Sequence, residues 1–345
     1  MLLREIPVRG GNGRTGERED VMTKVACVVM ALSCSTTSGW AADMKVSTKA
    51  PATPAAASPW DIAFGAALMS DYNFRGITQS NHKPSAAAYF EPRYNFSNSL
   101  QGYLGVSGES IAFPNRAAAE VDFYAGIRTT FGKLVLDFGV WDYWYPGGEC
   151  FNAAVPGACA AAGNLPVSGD VAKADLSFWE VYAKATYAFS DAFAAGASVF
   201  YSPSVQNSGA DGTYLAGNAR YTLPTPFLFF PSSVGVFLSA DIGHWFLGTT
   251  DAFYGVLPAF PNGIPYKSYT NWDVGLGFTY KQFTLDLRYY DTDLGKGDCN
   301  AFTDAQNAGG VSNVTSINPG GAGTNWCGAT FIAKLSIDLT SANLK

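Results

Sequence analysis

The most constraining feature of this 345-residue chain is a two-residue alternation of apolar and polar side chains that recurs in twelve segments. The clearest segment runs from Val121 to Phe131, where the odd positions are mostly apolar and the even positions are polar, small or aromatic. Successive side chains of a β-strand point to opposite faces of a sheet, so this pattern predicts strands with one apolar and one polar face. Asp122 and Arg128 both fall on the polar face. We therefore expect an all-β protein.

The twelve predicted strands are separated by connections that are alternately short and long. The strands are 61–75, 86–96, 101–109, 121–131, 134–145, 178–189, 193–201, 212–223, 234–245, 269–280, 283–290 and 331–339. An even number of strands joined in this way is typical of a transmembrane up-and-down β-barrel, with short periplasmic turns, long extracellular loops and both termini in the periplasm. We predict an antiparallel β-barrel of about twelve strands in the outer membrane of a bacterial cell.

The composition agrees with strands that expose half of their side chains to lipid. Charged residues make up only 14 % of the chain and aromatic residues another 14 %. No stretch reaches the roughly 18 consecutive apolar residues of a transmembrane helix. The net charge is −6 and no basic patch stands out, which excludes nucleic acid as a partner. The partners we expect are outer-membrane lipid and lipopolysaccharide, the barrel-assembly machinery and small polar solutes.

The first part of the chain has the pattern of an export signal. Residues 22–42 begin near a basic residue, continue with an apolar stretch and end in small residues, which is the order of a cleavable signal peptide. Residues 1–21 are polar and charged and look like a mis-assigned start, so we expect translation to begin at Met22. Residues 43–59 are rich in proline and alanine and predict a flexible periplasmic tail. Residues 60–345 then form a single barrel domain.

Four of the six cysteines lie in the barrel domain, as one pair in each of two long loops. Cys150 and Cys159 share one loop, and Cys299 and Cys327 share the other. Four cysteines allow three connectivities, of which pairing within each loop closes the least chain. An oxidising periplasm favours disulfides, so we expect two of them to hold the two largest outer loops. Metal binding is the alternative, but the C-x-x-C spacing of zinc sites is missing, and we predict no metal and no cofactor.

No constellation of residues in the sequence marks a catalytic centre. The chain has two histidines, His82 in the first long loop and His244 near the outer end of a predicted strand. A lipid-modifying enzyme of the outer membrane would pair such a histidine with a serine nucleophile and an orienting acid or amide. No serine stands out as that nucleophile. We therefore predict that the protein is not an enzyme.

The alternation places a set of charged side chains inside the barrel. The acids are Glu91, Asp122, Asp137, Glu180, Asp241, Asp273, Asp286 and Asp338, and the bases are Arg93, Arg128, Lys184, Arg220, Arg288 and Lys334. Facing rows of opposite charge orient and pass small polar solutes in some channels. The alternative is that the same residues pair across the lumen and fill it, as in smaller barrels. On the first interpretation these residues line a narrow lumen and contact solute, with a slight preference for cations.

The first predicted strand ends in an unusually polar segment, Ser70-Asp71-Tyr72-Asn73-Phe74-Arg75-Gly76. Extending the alternation through this segment places Asp71 and Arg75 inside the barrel. It places Tyr72 and Phe74 on the outside, in an aromatic girdle at the membrane surface. We therefore expect the first strand to continue to Arg75 and to add Asp71 and Arg75 to the lumen-lining set.

This polar segment and two others carry a resemblance to a known family. The segments are 70–80, 91–93 and 137–146. Together they resemble the TorF-type porins of proteobacteria, and the resemblance covers the chain from about Ile62 onward. It implies an outer-membrane barrel with a transport role. It also implies that Asp71 and Arg75 are a hallmark polar pair, which either contacts solute or holds the first loop as an ion pair.

These observations predict a diffusion channel for small polar or charged solutes with a narrow, charged lumen. A different class of function is a non-conducting surface protein, structural or adhesive, that works through its disulfide-held loops. A third is a lipid-modifying enzyme at the outer rim, which would depend on His244. A channel should change its ion preference when Arg93 or Arg128 is neutralised, whereas an adhesin should tolerate that change and fail when Cys150 or Cys299 is replaced.

Overall fold

A computed structural model of the protein describes residues 59–152, 159 and 171–341. The predicted start segment, the signal peptide and all but the last residue of the tail lie outside this part of the chain, so they stay predictions. Twelve long strands, each antiparallel to both neighbours, close into one barrel. The predicted fold class is therefore confirmed.

The strands follow one another around the barrel in chain order, interrupted by two short strand pairs in the loops. In chain order they are β1 (Trp60–Met69), β2 (Asn73–Phe74), β3 (Ile77–Thr78), β4 (Ser85–Asn95), β5 (Leu100–Glu109), β6 (Glu120–Phe131), β7 (Leu134–Trp144), β8 (Phe151–Asn152), β9 (Val171–Ala172), β10 (Phe178–Ala188), β11 (Phe193–Ser202), β12 (Gly212–Thr222), β13 (Gly235–Leu247), β14 (Tyr269–Tyr280), β15 (Phe283–Thr292) and β16 (Thr330–Thr340). The barrel closes where β1 pairs with both β4 and β16. The small strands β2 and β3 pair with each other, as do β8 and β9.

The helices of the described residues all lie in the loops. They are α1 (Lys296–Thr303) and two 3-10 turns, Val205–Asn207 and Ala252–Tyr254. None of these helices has the length and apolar character that crossing a membrane requires. The helix α1 was not predicted from the sequence, because its residues belong to a long polar loop with no apolar periodicity.

The two ends of the barrel differ in their connections, as predicted. At one end, which we call the turn end, adjacent strands are joined by connections as short as Gly132-Lys133 between β6 and β7. The other end, which we call the mouth, carries all the long loops, including 70–84 and 293–329. A proline-containing connection of residues 223–234 is the longest at the turn end.

The two faces of the barrel wall differ in chemistry. The outward face exposes large apolar side chains all around the barrel, among them Leu68 (65 % exposed), Leu104 (61 %), Ile127 (50 %) and Ile242 (58 %). Soluble monomers rarely expose a continuous apolar surface of this extent. The inward face carries the charged and aromatic side chains, most of them buried. This arrangement is the one expected of an outer-membrane barrel.

Inward-facing rings pack against glycines of the neighbouring strand. Tyr103 lies directly opposite Gly126 in the β5–β6 pair, and Tyr182 lies directly opposite Gly139 in the β7–β10 pair. A Cβ atom added at Gly139 would stand 2.5 Å from Oη of Tyr182, so only glycine leaves room for this ring. The aromatic ring in turn covers the backbone of a residue that has no side chain of its own. These ring–glycine pairs fill much of the lumen.

The first strand is shorter than predicted. β1 ends at Met69, and the following segment turns into the barrel instead of extending the wall. Tyr72 is 1 % exposed and Phe74 is 8 % exposed, so their predicted place in an outer aromatic girdle is wrong. The physical reason is a chain reversal at Arg75, which has a φ of 50° and forms the turn between β2 and β3 with Gly76. A strand alternation cannot continue through such a turn.

Candidate functional site at the barrel mouth

The first loop folds into the mouth as a hairpin, which we define as residues 70–84. Asp71 holds its two arms together. It accepts hydrogen bonds from the hydroxyls of Thr78, at 2.5 Å, and Ser80, at 2.8 Å. Its other oxygen lies 2.8 Å from Nδ1 of His82. The carboxylate is 4 % exposed, so these partners replace the water that it would otherwise bind.

Arg75 stands at the tip of this hairpin and reaches across the lumen. It is 1 % exposed, and its Nη1 and Nη2 donate to the two carboxylate oxygens of Glu180 at 2.9 and 2.7 Å. Four aromatic rings lie between 4.2 and 5.1 Å from the guanidinium carbon, and they belong to Phe74, Phe200, Tyr214 and Trp245. Bidentate pairing and ring contacts of this kind are what a buried guanidinium requires.

The surroundings of the ion pair fix both partners. Tyr143 donates its hydroxyl to Glu180 at 3.2 Å, and Tyr269 donates its hydroxyl to the carbonyl of Arg75 at 2.9 Å. Gly76 approaches the barrel wall so closely that a Cβ atom there would stand 2.8 Å from Cβ of Asn271, and its φ of +82° is one that glycine adopts freely. The tip of the hairpin therefore packs closely against the barrel wall and is held there by hydrogen bonds.

The structure corrects the predicted Asp71–Arg75 pair. Both residues lie inside the barrel, but they do not pair with each other. Asp71 holds the hairpin together, whereas Arg75 connects the hairpin to β10 through Glu180. The resemblance to a known family suggested their importance but not these partners.

A second group of charges lies lower in the lumen around Arg288. Its guanidinium donates to Asp286 at 3.1 Å and to Ser239 at 2.5 Å, lies 3.4 Å from Asp241 and is in close contact with Asp273. Three carboxylates thus surround one guanidinium. The predicted preference for cations stays a prediction.

A third group lies near the turn end. Arg128 donates to Asp137 at 3.1 Å and to Gln101 at 3.0 Å, while Tyr103 donates to Asp137 at 2.5 Å and contacts the hydroxyl of Tyr182. In the adjacent strands, three further charges form a short chain of ion pairs. Arg93 lies 2.5 Å from Glu91 and 3.6 Å from Asp61.

The remaining predicted residues also lie on the inner face. Lys184 lies 4.7 Å from the Tyr182 ring, and Arg220 lies 3.5 Å from the Phe237 ring. Lys334 faces Asp286 in the β15–β16 register. Asp338 accepts a hydrogen bond from Tyr89 at 3.4 Å. The structure therefore shows both arrangements that the sequence left open, an inward charged face and extensive pairing, and contact with solute stays a prediction.

Three carboxylates lie close together near the mouth, and only one of them was predicted from the sequence. Glu109, Glu120 and Asp122 are all buried near the mouth, and oxygen atoms from the three lie within 4.8 Å of one another. Only Asp122 was predicted to line the lumen. Glu109 ends β5 and falls on the inner face of the predicted strand 101–109, whereas Glu120 begins β6 one residue before the predicted strand 121–131.

The loops at the mouth form a cavity of about 470 Å³. Its wall is mostly apolar and comes from several loops and from α1, with Tyr254, Tyr266 and Phe302 among the lining residues. A second, smaller cavity of about 30 Å³ is lined by Phe302 as well and reaches Phe74 and Trp245. Phe74 and Trp245 are also in contact with the guanidinium of Arg75. The two cavities are therefore neighbours, and the smaller one reaches two of the rings that contact Arg75.

The cysteines form the two pairs that the sequence suggested. Cys150 and Cys159 are disulfide-bonded, with their Cα atoms 5.6 Å apart. Cys299 and Cys327 are disulfide-bonded, with their Cα atoms 6.0 Å apart. Cys299 lies in α1 and is fully buried, so the second disulfide anchors the helix that lines the mouth cavity.

The two histidines have different surroundings. His244 lies on the outward face of β13, where its Nδ1 is 2.9 Å from the hydroxyl of Thr270 and its ring is 4.4 Å from that of Phe246. His82 lies in the hairpin, and its ring nitrogens contact Asp71 and, at 2.9 Å, the carbonyl of Asn325. A doubly protonated imidazole donates to both partners at once.

We expect the stability of the hairpin to depend on the protonation of His82. The hydrogen bond to Asp71 raises the pKa of His82 above its usual 6.5, against the opposing effect of burial. This contribution is fully present below pH 6.5 and is lost as the pH rises through the folded-state pKa. The melting temperature of the protein minus that of His82→Gln should be larger at about pH 5.5 than at about pH 8.5.

The second histidine provides a matched control for this measurement. His244→Gln should keep the pH dependence of the unsubstituted protein, because His244 lies outside the hairpin. A pH-independent difference between the protein and His82→Gln would contradict the assigned ion pair.

Comparison with known proteins shows which family the chain belongs to. A family model described as "Bacterial protein of unknown function (Gcw_chp)" matches residues 53–317, which is well over half of the chain. The chain belongs to this bacterial family. The Gcw_chp description does not name TorF-type porins, so that part of the predicted resemblance stays a prediction. No curated protein matches the chain.

Solved structures with a similar course of the chain include three outer-membrane barrels. The NanC porin has 9 % identity, with coverage of 81 % of this chain and 100 % of its own, and a TM-score of 0.37. The CymD monoaromatic hydrocarbon channel has 10 % identity, coverage of 82 % and 88 %, and a TM-score of 0.35. LpxR from Salmonella typhimurium has 7 % identity, coverage of 80 % and 99 %, and a TM-score of 0.36. At such low identity these likenesses concern the fold alone.

Proposed function

We propose that this barrel is an outer-membrane channel for small polar or charged solutes, and that the first-loop hairpin closes it at the mouth. The observation that carries the proposal is the position of two neighbouring cavities at the mouth, one of which reaches the rings around Arg75, with the charged inner face of the barrel beyond. The proposal includes no catalytic step. Its partners are outer-membrane lipid and lipopolysaccharide, the barrel-assembly machinery and the solute itself.

The apolar outer face supports a membrane location. Side chains such as Leu68 and Ile242 have more than half of their surface exposed, and only a hydrocarbon environment makes such exposure favourable around a whole barrel. The charged inner face would be equally unfavourable in contact with lipid. The chain therefore separates an apolar exterior from a polar interior, as a channel wall must.

The seat of the hairpin supports gating. The hairpin contacts the wall through one bidentate ion pair, between Arg75 and Glu180, and through hydrogen bonds such as that from Tyr269. Asp71 and His82 hold the hairpin together as a unit. A unit that is held internally moves as one body when its contacts with the wall and the other loops break.

The charges beyond the hairpin support polar solutes. The predicted inner face has eight acids and six bases, and three of the acids surround Arg288. A solute that passes these groups exchanges its water for fixed charges, which is possible for a small polar or charged molecule and unfavourable for an apolar one. We propose a mild preference for cations on the same basis.

The test is ion conductance of the refolded barrel in a planar lipid bilayer. The protein should open rarely and in discrete steps. The double variant Arg75→Gln/Glu180→Gln removes both charges and leaves neither unpaired. A charge-assisted hydrogen bond contributes about 1.5–3 kcal/mol, and about 1.4 kcal/mol changes an equilibrium tenfold. We therefore expect the open fraction of the double variant to rise roughly tenfold or more.

The exposed Lys83 of the same loop offers a control, and Lys83→Gln should leave the open fraction unchanged. Heat-dependent gel mobility shows whether each preparation is folded. Silence from folded protein and from the folded double variant would contradict the channel. The disulfide-held loops would then be the working part of a non-conducting surface protein.

A further inference from the structure

The three carboxylates near the mouth form an unusual buried group. Glu109 is 2 % exposed, Glu120 is 1 % exposed and Asp122 is fully buried. Their oxygens lie within 4.8 Å of one another, although they come from two neighbouring strands. Like charges this close repel strongly away from water, so the group requires either a positive charge or protons.

The hydrogen bonds of the group are unevenly distributed among the three carboxylates. Glu120 accepts from Tyr72 at 2.6 Å and from Tyr145 at 3.0 Å. Ser107 lies beside both other carboxylates and donates its single proton to Asp122 at 3.1 Å. Neither oxygen of Glu109 accepts a hydrogen bond, whereas Asp122 also has the indole of Trp141 beside it.

Besides the closeness of the three carboxylates, the lack of a hydrogen-bond donor to Glu109 also points to a bound ligand. A carboxylate that is 98 % buried and bonded to no donor is rare in folded proteins, because the lost hydration is not replaced. One oxygen of Glu109 lies within 4.8 Å of an oxygen of each of the other two carboxylates, and neither of its oxygens accepts a hydrogen bond. A bound ion at this point would be coordinated by one oxygen of each carboxylate.

We propose that Glu109, Glu120 and Asp122 bind a hard divalent cation of the calcium class. Oxygen-only ligands favour calcium or magnesium over zinc and copper, which prefer nitrogen and sulfur. Calcium binds at about 2.3–2.6 Å from its ligands, so oxygens within 4.8 Å of one another fit around a single ion. The proposal does not depend on whether the barrel conducts.

The ion would also fix the base of the hairpin. Tyr72 belongs to the first loop and donates to Glu120, so the carboxylate that holds the ion also holds this loop. A cation there would neutralise part of the charge on the cluster and would keep Glu120 available as the acceptor for Tyr72.

The test uses calcium and the luminescent ion terbium, which is similar in size and also prefers oxygen ligands. Trp141 lies beside Asp122 and is close enough to sensitise terbium emission. Refolded protein should hold about one calcium per chain after removal of free ion, and calcium should displace bound terbium. Glu109→Gln should weaken the apparent affinity roughly 100-fold, since even partners that only orient ligands contribute 10–100-fold.

The control is Asp251→Asn, which removes a loop carboxylate that is paired with Lys173. It should bind calcium and terbium as the unsubstituted protein does. If Glu109→Gln fails to fold, Asp122→Asn and the calcium dependence of melting in the unsubstituted protein test the same site. Equal binding by all variants, or no calcium bound by folded protein, would overturn the proposal and leave shared protons as the explanation of the cluster.

Discussion

Arg75→Gln is expected to lower the free energy of unfolding of the barrel by about 3–5 kcal/mol, because removal of one partner leaves the other charge buried and unpaired. Glu180 is completely buried, so water cannot compensate for the lost guanidinium. The four rings around Arg75 would also lose a contact at 4.2 to 5.1 Å. Urea titrations in detergent, followed by tryptophan fluorescence, measure this difference.

The double variant Arg75→Gln/Glu180→Gln provides the comparison. It removes both charges, so its loss of stability should be smaller than that of either single variant. If the loss of stability in the double variant equalled the sum of the losses in the two single variants, the ion pair would be contradicted, because additive losses are the behaviour of residues that do not interact. The conductance measurement on the same double variant then shows how the ion pair affects opening, separately from its contribution to the stability of the barrel.

Replacing both Cys299 and Cys327 with serine is expected to lower the free energy of unfolding by about 3.5 kcal/mol, if the disulfide acts mainly by restricting the unfolded chain. The two cysteines are 28 residues apart. The change would also release α1, whose Phe302 packs against Trp245 and Tyr266 at the mouth. Faster proteolytic cleavage within residues 293–329 should accompany the loss.

The other disulfide gives a matched comparison. Cys150 and Cys159 are only 9 residues apart, so replacing both should cost less, about 2.5 kcal/mol on the same model. It should also leave cleavage of the last loop unchanged, since α1 keeps its own disulfide. An effect of the shorter pair that equals or exceeds that of the longer pair would contradict the proposed role of Cys299 in anchoring the mouth.

The barrel wall could be predicted from the sequence because its signal is local. The alternation from Val121 to Phe131 specifies both a strand and its inner face, and β6 has the predicted end at Phe131. The connections could be predicted for the same reason, since a two-residue turn such as Gly132-Lys133 leaves little choice of partner. Strand direction and order then follow without further information.

The mouth could not be predicted because its contacts join distant parts of the chain. Arg75 and Glu180 are 105 residues apart, and nothing near either residue indicates the other. The turn at Arg75 uses a positive φ that a non-glycine residue rarely adopts, so the alternation was extended through it in error. Glu120 was missed because it lies one residue before the predicted strand 121–131, and Glu109, the last residue of the predicted strand 101–109, was not counted among the inward acids.

The ring–glycine pairs of the lumen couple the substitutions that one strand tolerates to the residues of its neighbour. Tyr182 occupies space that exists only because residue 139 is glycine, and the same holds for Tyr103 and Gly126. A larger residue at position 139 or 126 would be tolerated only together with a smaller one in place of the ring. In related chains these positions should therefore vary as coupled pairs, and an isolated change at either member marks a lumen that has been reshaped.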